Sequence, residues 1–270
     1  MSNDRTNGTT ARPQVRFQRL AEQVADDLRR RILLGDFADG AALPVEEALR
    51  AEYPVSKPTL REAMRVLEAE GLVTVRRGSI GGAVVHRPAA SNVAYTLGLV
   101  LSARRVDIGD VGAALREVEP ACAAACAERA DRLEVVTPVL RDLHLQALEV
   151  VEDLVAVTEL SRRFHEAIVE RCGNQSLAIL AGALESLWST HESDWAHRVV
   201  RDEPIPVEQR LTALSDHERL IELIESGDAD AARRFAAVHL HTSQTYPDAE
   251  GPSIDPDAVR RSFVRTVDHT

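Results

Sequence analysis

Aromatic side chains are scarce in this chain: five Phe, three Tyr and two Trp make up 4 % of 270 residues. Its cores must therefore be built from aliphatic side chains and alanine. No apolar run approaches the roughly 20 residues a membrane-spanning helix needs. The start, Met1–Ala11, is polar and carries no signal-peptide pattern, so a cytoplasmic protein with no membrane association is expected. Cysteine is limited to Cys122, Cys126 and Cys172, an odd count without C-x-x-C spacing. Cys122 and Cys126 share one helix face among alanines, which reads as small buried side chains in preference to a redox pair. Lysine is nearly missing, since Lys57 is the only one among 32 basic residues.

Positive charge is also in deficit, with a formal net charge of −11. Its distribution is uneven. Residues 1–87 hold 14 Arg and Lys against 12 Asp and Glu, whereas residues 88–270 hold 18 against 31, so +2 and −13 recover the −11. An anionic partner would have to be met by a local basic cluster in the first third, with the acidic remainder facing away. At 270 residues the chain is long enough for two domains, each with its own core.

The stretch Leu43–Val85 is the most informative. Leu49, Leu60, Met64 and Leu67 are apolar positions at helical spacing, and Ser56 is an N-cap for a second helix with Pro58 in its first turn. That helix should run to about Glu70, stopped by Gly71. Leu72–Val75 and Ala83–Val85 are β-prone and are separated by RRGSIGG, a basic, glycine-rich hairpin tip. Two short helices, a tight turn and a basic two-stranded wing form a device for reading DNA. The second helix enters the major groove while the wing follows the backbone or the minor groove. The basic cluster is Lys57, Arg61 and Arg65 on the second helix, with Arg76 and Arg77 at the wing.

Upstream, Leu20, Val24, Leu28 and Ile32 recur every four residues in an amphipathic helix over 15–34 that ends at Gly35. Arg29, Arg30 and Arg31 fit either phosphate contact or a solvated charged face. Residues 1–14 have little to bury and read as a disordered tail. The winged unit is expected over 15–87 and a linker over 88–90. The following 91–246 shows almost only helical periods: 91–103, 107–130, 137–151, 153–172, 174–198, 207–226 and 228–245. Thr137-Pro138 and Asn174 are starts, and Gly173 and Gly227 are stops. The fold class expected is mainly α, a winged helix-turn-helix followed by an all-α bundle of about six to seven helices. The remaining 247–270 reads as a loose tail with a short helix over 256–265.

Three histidines stand out. His217 lies ten residues before Gly227 and His239 twelve after it, so an antiparallel hairpin at about 1.5 Å rise per residue sets both at one height. His165 lies on another helix. Three imidazoles from three helices can converge on a metal ion, or each can be an ordinary hydrogen-bonded histidine.

The stretch Leu43–Val85 resembles the winged-helix domain of the GntR family of bacterial transcription regulators. Leu43, Pro44, Glu46, Leu49, Val55, Ser56, Thr59, Arg61, Glu62, Ala63, Leu67, Gly71, Leu72 and Gly78 carry the likeness. Val45 replaces a usual Ser, Pro54 the turn glycine and Lys57 an Arg, and Glu47 stands where an Arg contact is common. The resemblance implies DNA contacts from Ser56, Lys57, Pro58, Thr59, Arg61, Arg65, Arg77 and Gly78.

Residues 91–245 resemble the FCD effector-binding domain of the FadR subfamily through Glu119-Pro120, Phe164-His165, Gly173-Asn174, His217, Gly227-Asp228 and His239-Leu240. That likeness implies a divalent metal, zinc by preference for imidazole donors, on His165, His217 and His239. The family's Asp ligand falls at Ser161, which is at best a weak donor. The resemblance further implies a small organic acid as effector, with Arg116, Arg162 and Asn174 as its contacts.

The expectation is a homodimeric, ligand-responsive repressor on a pseudo-palindromic double-stranded DNA operator. Two rivals stand beside it: a regulator whose helical domain only dimerises around a vestigial pocket, and a metal-dependent hydrolase using Glu166. The second is disfavoured because Glu166 follows His165 and points about 100° away around the helix. Nor does any nucleophile motif or phosphate loop appear. No enzyme activity is expected.

Overall fold

Gly35, with φ 88°, closes the first helix by donating from its backbone to the Ile32 carbonyl, and Gly71 and Gly227 turn the chain the same way at φ 73° and 77°. These left-handed positions are cheap only for glycine, which is why the helix ends fall where the sequence predicts them. The structure is a computed structural model and describes residues 19–76, 82–88, 90–202, 205–243 and 254. The chain divides into two compact units, residues 1–88 and 89–270.

In the first unit, α1 (Leu20–Leu34) packs on α3 (Lys57–Ala69), with α2 (Glu46–Glu52) leading into the turn before α3. Val24, Leu28 and Ile32 of α1 meet Leu49, Leu60, Ala63 and Leu67 in one buried cluster with Leu72, Val73 and Val85. Ser56 caps α3 as its spacing predicts, its Oγ accepting the Thr59 backbone N–H at 3.3 Å. Pro54 is accommodated without a left-handed residue: the Val55 N–H donates to the Tyr53 carbonyl at 2.7 Å, so the chain turns through a three-residue loop centred on Pro54. β1 (Val73–Arg76) and β2 (Gly82–Val85) pair antiparallel, Val73 opposite Val85 and Arg76 opposite Gly82. An isolated bridge from Ala42 to Val84 extends the wing's base.

The second unit is helical among its described residues. It comprises α4 (Ala90–Ala103), α5 (Ile108–Glu128), α6 (Arg132–Val135), α7 (Thr137–Glu149), α8 (Leu154–Arg171), α9 (Gln175–Asp202), α10 (Val207–Ser226) and α11 (Ala229–Ser243). The seven expected helices are present within a few residues of their expected bounds. The correction is α6, a single turn of four residues that no 3.6-residue period could reveal. α5 is the central element, packing against α8, α9, α10 and α11. Its Cys122, Ala123, Cys126 and Ala127 meet Phe164 and Ile168 of α8, Leu220 and Ile224 of α10 and Ala236 of α11. The three cysteines are free and buried, and burial raises the thiols of Cys122 and Cys126. Small side chains let the helices approach closely. At Gly112 a Cβ would stand 2.7 Å from the Trp188 ring of α9.

No described helix is long and apolar enough to cross a membrane. The expected tail over 1–14, the first residues of the helix expected from 15, the wing-tip residues Arg77 and Gly78, and the helix expected over 256–265 lie outside the described residues.

Candidate metal centre and DNA-reading surface

On α3 the apolar positions Leu60, Ala63 and Leu67 are buried, and Lys57, Pro58, Arg61 and Arg65 are left on the exposed face. The cations there are not idle. Glu46 at the start of α2 accepts from the Lys57 ammonium at 2.8 Å and lies 3.6 Å from the Arg61 guanidinium. The Lys57 hydrogen bond holds the Glu46 carboxyl below its usual range. Arg65 pairs with Glu62 one turn earlier at 3.3 Å. Glu47 is exposed. On α1, Arg29 is held in a fork by Glu70, Arg30 by Asp27 and Arg31 by Glu52, so these three serve contacts within the unit.

In the helical unit, His165 of α8, His217 of α10 and His239 of α11 meet, and one ligand atom from each lies within 4.8 Å of the others. Ring centroids are 5.2 Å apart for His165 and His217, 5.4 Å for His165 and His239, and 5.0 Å for His217 and His239. The turn at Gly227 brings the last two together, as their spacing predicts. His217 and His239 are each 2 % exposed. His217 stacks flat on Phe164, with 4.1 Å between centroids and 6° between planes.

Carboxylates hold two of the rings from behind. Glu119 of α5 places Oε1 2.5 Å from His165 Nδ1, and Asp216 places Oδ2 3.1 Å from His239 Nδ1. With Nδ1 engaged in this way, a ring presents Nε2 to an ion. His239 Nε2 and His217 Nδ1 are buried and lack a hydrogen-bond partner among the described residues. Burial holds both imidazoles below their ordinary pKa, with the neighbouring rings adding to it, so they are neutral at neutral pH. Neutral rings with buried, unpartnered nitrogens are the form a metal ion takes up. The triad can hold a divalent metal.

The other expected site residues are dispersed. Ser161 lies one turn before His165 on α8 and offers only a hydroxyl. Arg116 is half-buried on α5, one turn before Glu119. Arg162 is tied to Glu159 through Nη2 at 2.5 Å and also to Glu166. Glu166, the base of the hydrolase rival, is thereby paired with Arg162, and burial raises its carboxyl. Asn174 is exposed and spends its side-chain oxygen on the Leu177 N–H at the start of α9, at 3.1 Å. The roles of Glu119 and Asp216 toward the imidazoles went unforeseen. Asp216 adjoins His217 in sequence, yet its ring partner is His239, 23 residues away.

Comparison with known families matches residues 20–84 to "Bacterial regulatory proteins, gntR family" and residues 110–242 to the "FCD domain". The HTH-type transcriptional repressor NanR of Cronobacter sakazakii is 28 % identical over 239 residues, 86 % of each chain. A protein of Escherichia coli named for regulating the L-lactate dehydrogenase operon is 29 % identical over 230 residues, 83 % of this chain and 84 % of that one. The solved structure of a Streptococcus agalactiae GntR protein has the same fold, with a TM-score of 0.62 at 22 % identity over 83 % of this chain and 98 % of that one. A capped reading helix with a wing and a helical unit built around three histidines thus match the two halves of one group. The chain belongs to the gntR family of bacterial regulatory proteins and is a DNA-binding transcription regulator with an FCD domain, not an enzyme.

Proposed function

We propose that this protein is a homodimeric repressor that leaves its operator when a small organic acid binds the metal-loaded helical unit. The observation that carries the reading is the pair of buried, unpartnered nitrogens on His217 and His239, facing a third imidazole from another helix. Zinc is the ion the donor set favours, since three imidazoles suit it and leave further positions open. When bound, the ion supplies a positive centre for an effector carboxylate. Of the three residues expected to contact that carboxylate, Arg116 is the candidate, because Arg162 is already held by two acids and Asn174 by its helix cap.

On the DNA side, Lys57, Arg61 and Arg65 are the exposed cations of the reading helix, with Ser56, Pro58 and Thr59 at its N-terminal end, and Arg77 and Gly78 belong to the wing's contact. One such helix spans few base pairs, so two copies on a pseudo-palindrome are needed for useful specificity. A cytoplasmic location follows from the same task.

The rival in which the helical unit only dimerises draws on Ser161, which stands where a ligating acid is usual. Fluorescence anisotropy separates the two. Duplex DNA selected from a random pool is bound by the zinc-loaded protein, and small carboxylic acids are then added. The proposal expects one class of acid to weaken DNA binding at least tenfold, and Arg116→Ala to blunt that response. DNA affinity and melting temperature unmoved by every acid would favour the dimerising rival instead.

A further inference from the structure

Glu119 is only 2 % exposed. A carboxylate so far from water loses most of its hydration, which must be replaced by hydrogen bonds or by positive charge. Among the described residues no arginine or lysine pairs with it. Its one described hydrogen-bond contact is His165 Nδ1 at 2.5 Å, and its second oxygen, Oε2, is buried without a partner. The neighbouring Pro120 is buried as well and has no N–H to give the Arg116 carbonyl, so α5 forgoes a helical hydrogen bond one turn from the Arg116 side chain. A buried acid facing a histidine cluster, with no arginine or lysine paired to it among the described residues, is the arrangement to expect where the missing positive charge is brought in.

We propose that Glu119 is the charge-balancing, positioning carboxylate of the metal centre. Through His165 it does what an acid at position 161 would otherwise do directly. This rests on the reading of His165, His217 and His239 as a metal site. His165 carries its proton on Nδ1, donates it to Glu119 and turns Nε2 toward the ion; the carboxylate strengthens that nitrogen as a donor. Asp216 does the same for His239 from a less buried position, with its side chain 34 % exposed. Two carboxylates then oppose the two positive charges of the ion, while every ligand touching it from the triad is neutral. Ser161, one turn before His165 on α8, adds no charge of its own, so unlike an acid at that position it would not repel an anionic effector.

The test uses the full chain and zinc alone, with affinity read by competition against a chromophoric chelator. His239→Ala is the control for the site itself. Glu119→Gln keeps the shape and an acceptor oxygen for His165 but removes the charge, and its fold is checked by melting in the presence of chelator. The expected result is a 10–100-fold loss of zinc affinity in Glu119→Gln, the range seen when partners of ligating histidines are removed. At least tenfold should return in the double variant Glu119→Gln, Ser161→Asp. A merely structural Glu119 would not be rescued by an acid on a different helix. Cobalt bound in place of zinc should keep its visible bands in Glu119→Gln, because Glu119 acts from behind His165. Zinc affinity within twofold of the wild type, or a loss that Ser161→Asp leaves unrepaired, overturns the role of Glu119. Wild type and His239→Ala binding zinc alike overturns the metal site, and the inference with it.

Discussion

Carboxylates are set against nitrogen donors in both units, but under opposite conditions. In the DNA-reading unit Glu46 sits at the surface, and the Lys57 and Arg61 side chains it faces are 51 % and 64 % exposed. Water and salt screen such pairs, which contribute at most about 1 kcal/mol, so a phosphate can take either cation away. In the helical unit Glu119 is shut away from solvent against His165, where losing that partner would leave a buried charge uncompensated. On the proposed reading the first arrangement is a placeholder that DNA displaces, and the second is a fixed frame. A regulator needs both: loose surface cations that the operator can claim, and a rigid interior whose occupancy can be sensed.

The strongest way to break the interior frame is to remove the ring on which His217 stacks. Phe164 is 1 % exposed, and Phe164→Ala should lower stability by about 3–5 kcal/mol, read by chemical denaturation. Retained stability would show that His217 is not held by this stack.

At the surface the corresponding break is Arg61→Ala. If Arg61 reads a base edge, each half-site loses about 1–3 kcal/mol of binding, and discrimination falls at that base pair. Circular dichroism should be unchanged, because the side chain lies outside the core. Equal affinity for the selected duplex in anisotropy would remove Arg61 from the interface.

Protonation distinguishes the two units again. His144, His217 and His239 all have pKa values held below 6.5, chiefly by burial. In the metal-free protein the unfolded chain therefore takes up protons that the folded chain refuses. Stability is complete above about pH 6.5 and falls as the pH drops toward the lowered folded values, by up to about 1.4 kcal/mol per pH unit for each histidine. Melting with chelator present should follow this direction, and a melting temperature that rises on acidification would contradict it.

The smallest effect sharpens the picture of Glu46 as a placeholder. Glu46→Gln should tighten binding to DNA of any sequence by less than about 1 kcal/mol. The slope of log affinity against log salt should steepen by about 0.9 if Lys57 thereby gains a phosphate. A weakened complex would mean that Glu46 orients the cations for binding.

Much of this was legible from local rules. The cap at Ser56, the stops at Gly35, Gly71 and Gly227, and the four-residue repeat of Leu20, Val24, Leu28 and Ile32 are short-range signals, and the helices follow them. The meeting of His217 and His239 was legible too, since a hairpin's geometry is fixed by residue counts on either side of one turn. Glu119 was not. Its partner His165 lies 46 residues away on another helix, and no period or spacing links the two. Arg162 shows a signal that was present but unused, because Glu159 and Glu166 at three and four residues' distance are its natural helix neighbours. The short α6 lies below the length at which periodicity carries information.

Zinc stoichiometry tests the central claim most directly. Equilibrium dialysis of the chelator-stripped chain against zinc should give one tightly held ion per chain. His165→Ala, His217→Ala and His239→Ala should each lose it while melting as folded proteins in chelator. A wild-type chain that takes up no zinc, or three variants that bind it as the wild type does, would contradict the metal centre.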